Sequence, residues 1–188
     1  RDSGDTEVNR PAYDNLIQGY AGAMSITGTD KENPVKSGIP IADLGAGLYA
    51  VIGILSAIQS REKNDSGEHV DISMLDTQVS LLTYMATMHF LSGENPEPIG
   101  NQHMNHVPFN SYRTSDGFIQ IGVVAEDFWP SLIEALDLRQ LDTEENKVRI
   151  GRLKNRENID EALQEVFITN TTEHWLKILQ EHRVPCGP

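Results

Sequence analysis

The 188 residues are 38% apolar, enough for the core of one ordinary domain or two small ones. Lys and Arg number 15 against 28 Asp and Glu, and the resulting charge of −13 excludes the basic stripe that a nucleic-acid surface needs. The single cysteine, Cys186, excludes an internal disulfide and a thiol-built zinc site.

No apolar run approaches the ~20 residues needed to cross a bilayer, and Arg1-Asp2-Ser3-Gly4-Asp5 has no signal-peptide pattern, which together predict a cytoplasmic protein without a membrane partner. Arg1 in place of an initiator Met, and Pro188 closing what reads as mid-loop, predict a piece of a longer chain.

Residues 1–10 are polar and acidic and read as a linker; Pro11 to Gly28 reads as mixed helix, and Thr29 to Pro40, punctuated by Gly and Pro, as loop. Leu48, Val51, Ile52, Leu55 and Ile58 recur at helical spacing, predicting a helix over 44–58 that packs on one broad face, with Asp43 at its N-cap. Arg61 to Glu68 reads as a charged turn and His69-Val70-Asp71-Ile72 as a short strand. Ser73 with Asp76 resembles a capping box opening a helix to about Leu91. Helix, strand and helix suggest an α/β layer.

Breakers between Ser92 and Val107 predict a domain boundary near Gly100, dividing residues 1–99 from 100–188. Beyond it, Phe109 to Thr114 and Phe118 to Val124 flank Asp116-Gly117 as a hairpin, and helices are expected near 127–136, 156–167 and 172–182, giving a small α+β unit. Trp129, Trp175, Phe128 and Phe167 belong to its core. His103 and His106 lie in a loop with no carboxylate or thiol close by, so no metal site is expected.

Two stretches could carry chemistry. Asp43-Leu44-Gly45-Ala46-Gly47 puts an acid and two glycines in one helical turn, and each glycine costs up to about 1 kcal/mol against Ala. Either the glycines serve tight helix packing beside an ordinary capping Asp, or a ligand approaches the backbone there, with free N–H groups favouring an anion. Tyr13, Asp14 and Gln18 would gather a phenol, a carboxylate and an amide at one helix end, to orient a small dicarboxylate or a thioester carbonyl, or to act as capping residues. Phosphate-binding glycine loops and nucleophile elbows are absent from the sequence.

Taken in order, Tyr13-Asp14, Gln18, Gly22, Thr27-Gly28, Asp43 and Val70-Asp71-Ile72-Ser73-Met74-Leu75-Asp76 resemble the family III CoA transferases, the carnitine and formyl-CoA transferase (CaiB/BaiF) group. Pro108-Phe109, Tyr112-Arg113-Thr114, Asp116-Gly117 and Val184-Pro185-Cys186-Gly187-Pro188 continue the resemblance. It implies an α/β fold: the central part of a Rossmann-like large domain over 1–99, a small α+β domain over 100–188, and an interlocked homodimer. It implies Asp43 as the nucleophile that forms acyl and CoA intermediates, with Tyr13, Asp14, Gln18, Gly45, Gly100 and Gln102 as substrate-binding residues. The partners implied are an acyl-CoA and a small carboxylic acid; coenzyme A is substrate, with no permanently bound cofactor and no metal. Groups that grip the CoA phosphates would lie in the missing N-terminal half, so the acidic balance is no obstacle to CoA.

Some members of the group are α-methylacyl-CoA racemases, with a His where Tyr13 stands; a phenol is a poor base near neutral pH, which favours the transferase. Transferases that shield their intermediates often carry several glycines at the small-domain entrance, where this chain has Gly100 beside Asn101, Gln102 and His103. A third expectation, from another class, is a noncatalytic dimerisation piece with a merely solvated acidic surface.

Overall fold

A computed structural model describes residues 11–188, so the linker expected over 1–10 lies outside the described residues. The chain divides into two compact units, one ending at Gly100 and the other Asn101–Pro188.

The regular structure among the described residues of the first unit is all helical: α1 (Asp14–Tyr20), a 3-10 turn at Ala23–Ile26, α2 (Ile41–Asn64), α3 (Met74–Ser80) and α4 (Tyr84–Ser92). α2 is longer than predicted at both ends. It opens at Ile41 with Pro40 at the N-cap, so Asp43 lies inside the first turn rather than capping it. At the other end Arg61, Glu62 and Lys63, read as a turn from their charge, are good helix formers and prolong the helix until Asp65 turns left-handed at φ 52°.

α2 also corrects the expectation that no segment approaches membrane-spanning length. At 24 residues it is long and apolar enough, by length and composition alone, to cross a bilayer, because its glycines and alanines break the apolar runs without making the segment polar. Within the described residues its predicted packing face is bare: Leu48, Val51, Ile52 and Leu55 are each more than half exposed.

The expected strand at His69–Ile72 forms no ladder, since the described residues of the unit offer no partner strand; instead it lies against α2, where a Cβ on Gly53 would meet Val70 Cγ1 at 2.8 Å. Ser73 does cap α3, its Oγ accepting from the Asp76 N–H at 3.2 Å. The single helix expected to follow is broken in two by Thr83, at φ 49°.

The second unit has a three-stranded antiparallel sheet in the order β1 (Phe109–Arg113), β2 (Phe118–Gly122), β3 (Cys186–Gly187). The hairpin is the expected one, with Tyr112 opposite Ile119 and the turn closed by Thr114 and Gly117. β3, read as loop, pairs Cys186 with Ile121; two residues are too few to show a period. Helices α5 (Phe128–Leu136), α6 (Arg149–Lys154), α7 (Arg156–Phe167) and α8 (Thr172–Glu181) cover the sheet, and only α6 was unforeseen. Ile119 and Ile121 of β2 meet Trp129, Leu132, Leu163 and Phe167 in one core, with Trp175 donating to the Phe167 carbonyl at 2.8 Å and Phe128 partly buried at the edge.

Arg152, 1% exposed, holds this unit's loops. Its guanidinium donates to the carbonyls of Val107 at 2.8 Å and Asn146 at 2.9 Å and to Glu126 at 2.7 Å, and lies over the Trp129 ring. Burial works to raise the Glu126 carboxyl, but Arg152 and the Arg149 N–H outweigh it and hold the group below its ordinary 4.5. Being depressed in the fold, this group stabilises the unit above its ordinary value, and the contribution fades as pH falls through the lower folded value. The urea midpoint of Glu126→Gln should therefore lie below wild type at neutral pH and converge with it as pH falls below the lowered folded value of Glu126.

Gly151 is the tightest glycine of the unit, since a Cβ there would sit 1.7 Å from the Glu145 carbonyl oxygen. Backbone cannot yield as a side-chain tip does, so Gly151→Ala should cost about 3 kcal/mol or prevent folding, read by chemical denaturation.

Candidate active site

The start of α2 gathers four of the residues singled out from sequence. Pro40 has no side-chain acceptor for the first-turn N–H groups, and the cap comes from α1: Asp14 Oδ1 accepts from the fully buried Ala42 N–H at 2.9 Å. Asp14 Oδ2 accepts from Gln18 Nε2 at 2.7 Å, and Gln18 Oε1 accepts from the Ser37 N–H at 2.8 Å. Gln18 is 1% exposed and spends both ends of its amide inside the protein. Asp14 and Gln18, expected as substrate contacts, are thus internally committed. The (i, i+4) spacing gave the pair; nothing in the sequence gave the N–H groups of Ser37 and Ala42.

Asp43 is the next residue along, and its side chain is exposed. Among the described residues its carboxylate accepts no hydrogen bond and forms no ion pair, and its N–H has no acceptor, whereas the N–H groups of Ile41, Ala42 and Leu44 are all bonded. Asp43 therefore offers an uncommitted carboxylate at the positive end of a long helix, beside one unused backbone donor. Tyr13 directly precedes α1 with its ring two-thirds exposed.

The two glycines separate. Gly45 is buried, and a Cβ there would touch Leu81 Cδ1 and Thr77 Cγ2 at 3.1 Å, so it serves the packing of α2 on α3; Gly47 has nothing within 4 Å of its missing Cβ. Gly100 stands apart at the end of this unit, left-handed at φ 64°, donating its N–H to the Gly28 carbonyl at 2.7 Å. An apolar groove of about 550 Å³ between Val79, Leu82, Met85 and Phe90, with Lys31 at its rim, is lined by none of the expected site residues.

Gln102 belongs to the second unit, where its Nε2 donates to Asp160 Oδ2 at 3.2 Å. The other Asp160 oxygen accepts the Tyr112 hydroxyl, whose ionisation burial, and then the adjacent carboxylate, push far above the ordinary phenol range. Asp160 gave no sequence signal, since it reads as one more acid on the polar face of α7. His103 and His106 lie with ring centroids 4.7 Å apart. Burial, then His106 and Arg156, lower the His103 pKa, and no group of three metal-ligating side chains occurs among the described residues.

The profile described as CoA-transferase family III matches residues 2–188. The chain is 30% identical over 180 residues to succinyl-CoA:glutarate CoA-transferase of Homo sapiens, covering 95% of this chain and 41% of that protein. It is 32% identical over 179 residues to succinyl-CoA:mesaconate CoA-transferase of Haloarcula hispanica, covering 95% and 45%. The crystal structure of a CAIB/BAIF family protein from Brucella suis superposes with a TM-score of 0.84 at 30% identity, over 98% of this chain and 49% of that one. The chain thus spans less than half the length of these curated relatives.

The contrast between the glycines predicts opposite outcomes. Gly47→Ala should stabilise the chain by up to about 1 kcal/mol, through helix propensity into open space. Gly45→Val should destabilise it by about 2 kcal/mol, by overpacking the α2–α3 contact. Thermal melts of the two variants decide it.

Proposed function

Because the chain belongs to CoA-transferase family III, we propose that the complete protein moves coenzyme A between carboxylic acids, with Asp43 as the carboxylate that carries the acyl group. The observation that carries this reading is the contrast between two neighbouring acids: Asp14 is bonded through both oxygens, while Asp43, in the first turn of α2, is exposed and uncommitted.

The chemistry balances without a redox group. The Asp43 carboxylate attacks the thioester carbonyl of an acyl-CoA, the C–S bond breaks, and CoA leaves as thiolate from a mixed anhydride. The thiolate attacks the Asp43 carbonyl, releasing the donor acid and leaving an aspartyl-CoA thioester. The acceptor carboxylate attacks that thioester, giving a second anhydride and thiolate, and the thiolate takes the acceptor acyl group and frees Asp43. The unused Asp43 N–H, at the positive end of α2, suits the oxyanion formed at each attack. Gly47, with open space over its Cα, leaves room for a ligand to approach the helix, and the exposed Tyr13 phenol, next to the Asp14 cap in sequence, can donate to a substrate carboxylate.

The relatives named above pair succinyl-CoA with glutarate or mesaconate, so we assign short dicarboxylic acids as the substrate class. Residues 1–99 are read as the central part of the large domain and 100–188 as the small domain. The bare face of α2, from Leu48 to Leu55, is read as covered in the complete protein by the rest of an interlocked homodimer.

The test is to incubate the complete protein with succinyl-CoA and treat it with hydroxylamine, which converts an activated carboxyl to a hydroxamate. A mass change confined to Asp43, with loss of exchange in Asp43→Ala, is expected; full exchange in Asp43→Ala sinks the reading. Expressed alone, this chain should self-associate through the bare face of α2, seen as a mass that rises with concentration in light scattering.

A further inference from the structure

We infer that Asp14 and Gln18 are positioning residues for Asp43, and that what the reaction needs from them is the polarity of their hydrogen-bond chain rather than a carboxylate at position 14. The inference rests on the reading of Asp43 as the nucleophile.

The chain runs from the Ser37 N–H to Gln18 Oε1, from Gln18 Nε2 to Asp14 Oδ2, and ends where Asp14 Oδ1 accepts the Ala42 N–H. Each step fixes the next. The Ser37 donor can face only the amide oxygen, so the amide nitrogen must face Asp14; and Ala42, with no exposed surface, has no water to replace a lost acceptor. Position 14 must therefore present acceptors to two donors at once. The last donor is the backbone of the residue before Asp43, so a displaced cap displaces Asp43 itself, and misplacement of about 1 Å can cost about 100-fold in rate.

An exchange of acid and amide separates this role from contact with substrate. D14N alone sets an amide N–H₂ against Gln18 Nε2, two donors facing each other, and Q18E alone sets two carboxylates together. In D14N/Q18E the Ser37 N–H still meets an oxygen, the introduced amide nitrogen donates to the introduced carboxylate, and the amide oxygen still accepts from Ala42. Every donor is answered and the net charge is unchanged.

The experiment measures kcat and KM for exchange from succinyl-CoA in the complete protein, for wild type, D14N, Q18E, D14N/Q18E and Asp43→Ala. Each single exchange should lower kcat roughly 10- to 100-fold with KM little changed. The double variant should return to within about threefold of wild type. A double variant as slow as D14N overturns the inference, because position 14 then needs its own carboxylate, and so does a D14N enzyme that melts earlier yet turns over normally. If D14N alone does not accumulate, the double variant still decides, since it has to be both folded and active. Full activity in Asp43→Ala would instead overturn the nucleophile, an outcome read separately from the exchange pattern.

Discussion

The first turn of α2 is organised by a carboxylate on another helix. A helix opened by proline has no side-chain acceptor of its own for its leading N–H groups, and here Asp14 of α1 supplies one to a donor sealed from water. α1, the loop that carries Ser37 and the start of α2 are consequently one cooperative piece: Gln18 cannot be satisfied unless the loop is in place, and α2 cannot begin at Ile41 unless α1 is. The arrangement leaves the positive end of α2 half served. One acid is absorbed in holding the helix, and Asp43, the next acid along the site, is exposed and unbonded among the described residues.

The second unit answers the same kind of demand with the opposite charge. Arg152 is buried among backbone carbonyls of the Val107 and Asn146 loops, with Glu126 as its ionic partner among the described residues. A buried guanidinium contributes little through charge pairing alone, because its desolvation offsets the attraction; here its planar fork gathers loop carbonyls that would otherwise be buried unbonded. Gly151 lets the backbone of α6 come against Glu145 closely enough for the fork to reach.

Elements made of local pattern were legible: the hairpin around Asp116-Gly117, the Ser73 cap, and helices α5, α7 and α8, whose apolar spacing meets a core inside the same unit. α2 was legible as a helix but not in its bounds, because charge was read as turn at Arg61–Lys63 and Asp43 was read as cap. His69–Ile72 has strand composition yet no strand beside it; pairing is a property of the neighbour and not of the segment. At the site, the (i, i+4) spacing paired Asp14 with Gln18 and only the family resemblance joined them to Asp43 and Gly45; their division of labour was illegible, because it turns on backbone N–H groups that carry no residue identity. Gln102, expected as a substrate contact, also donates to Asp160, a pairing that no local pattern announces because Asp160 lies far along the chain.

The joint at Thr83 sets a gradient within the first unit. A β-branched residue held at φ 49° stores strain at the head of α4, and α4 buries none of its own residues, with Phe90 and Leu91 more than four-fifths exposed. α1 and the start of α2 are latched by buried hydrogen bonds, while α4 is held by little beyond its own ladder. Seen as a sequence of opening events, the unit should come apart from the Thr83 end, amides of α4 exchanging with solvent before that of Ala42, so the turn that carries Asp43 belongs to the part of the fold that lets go latest.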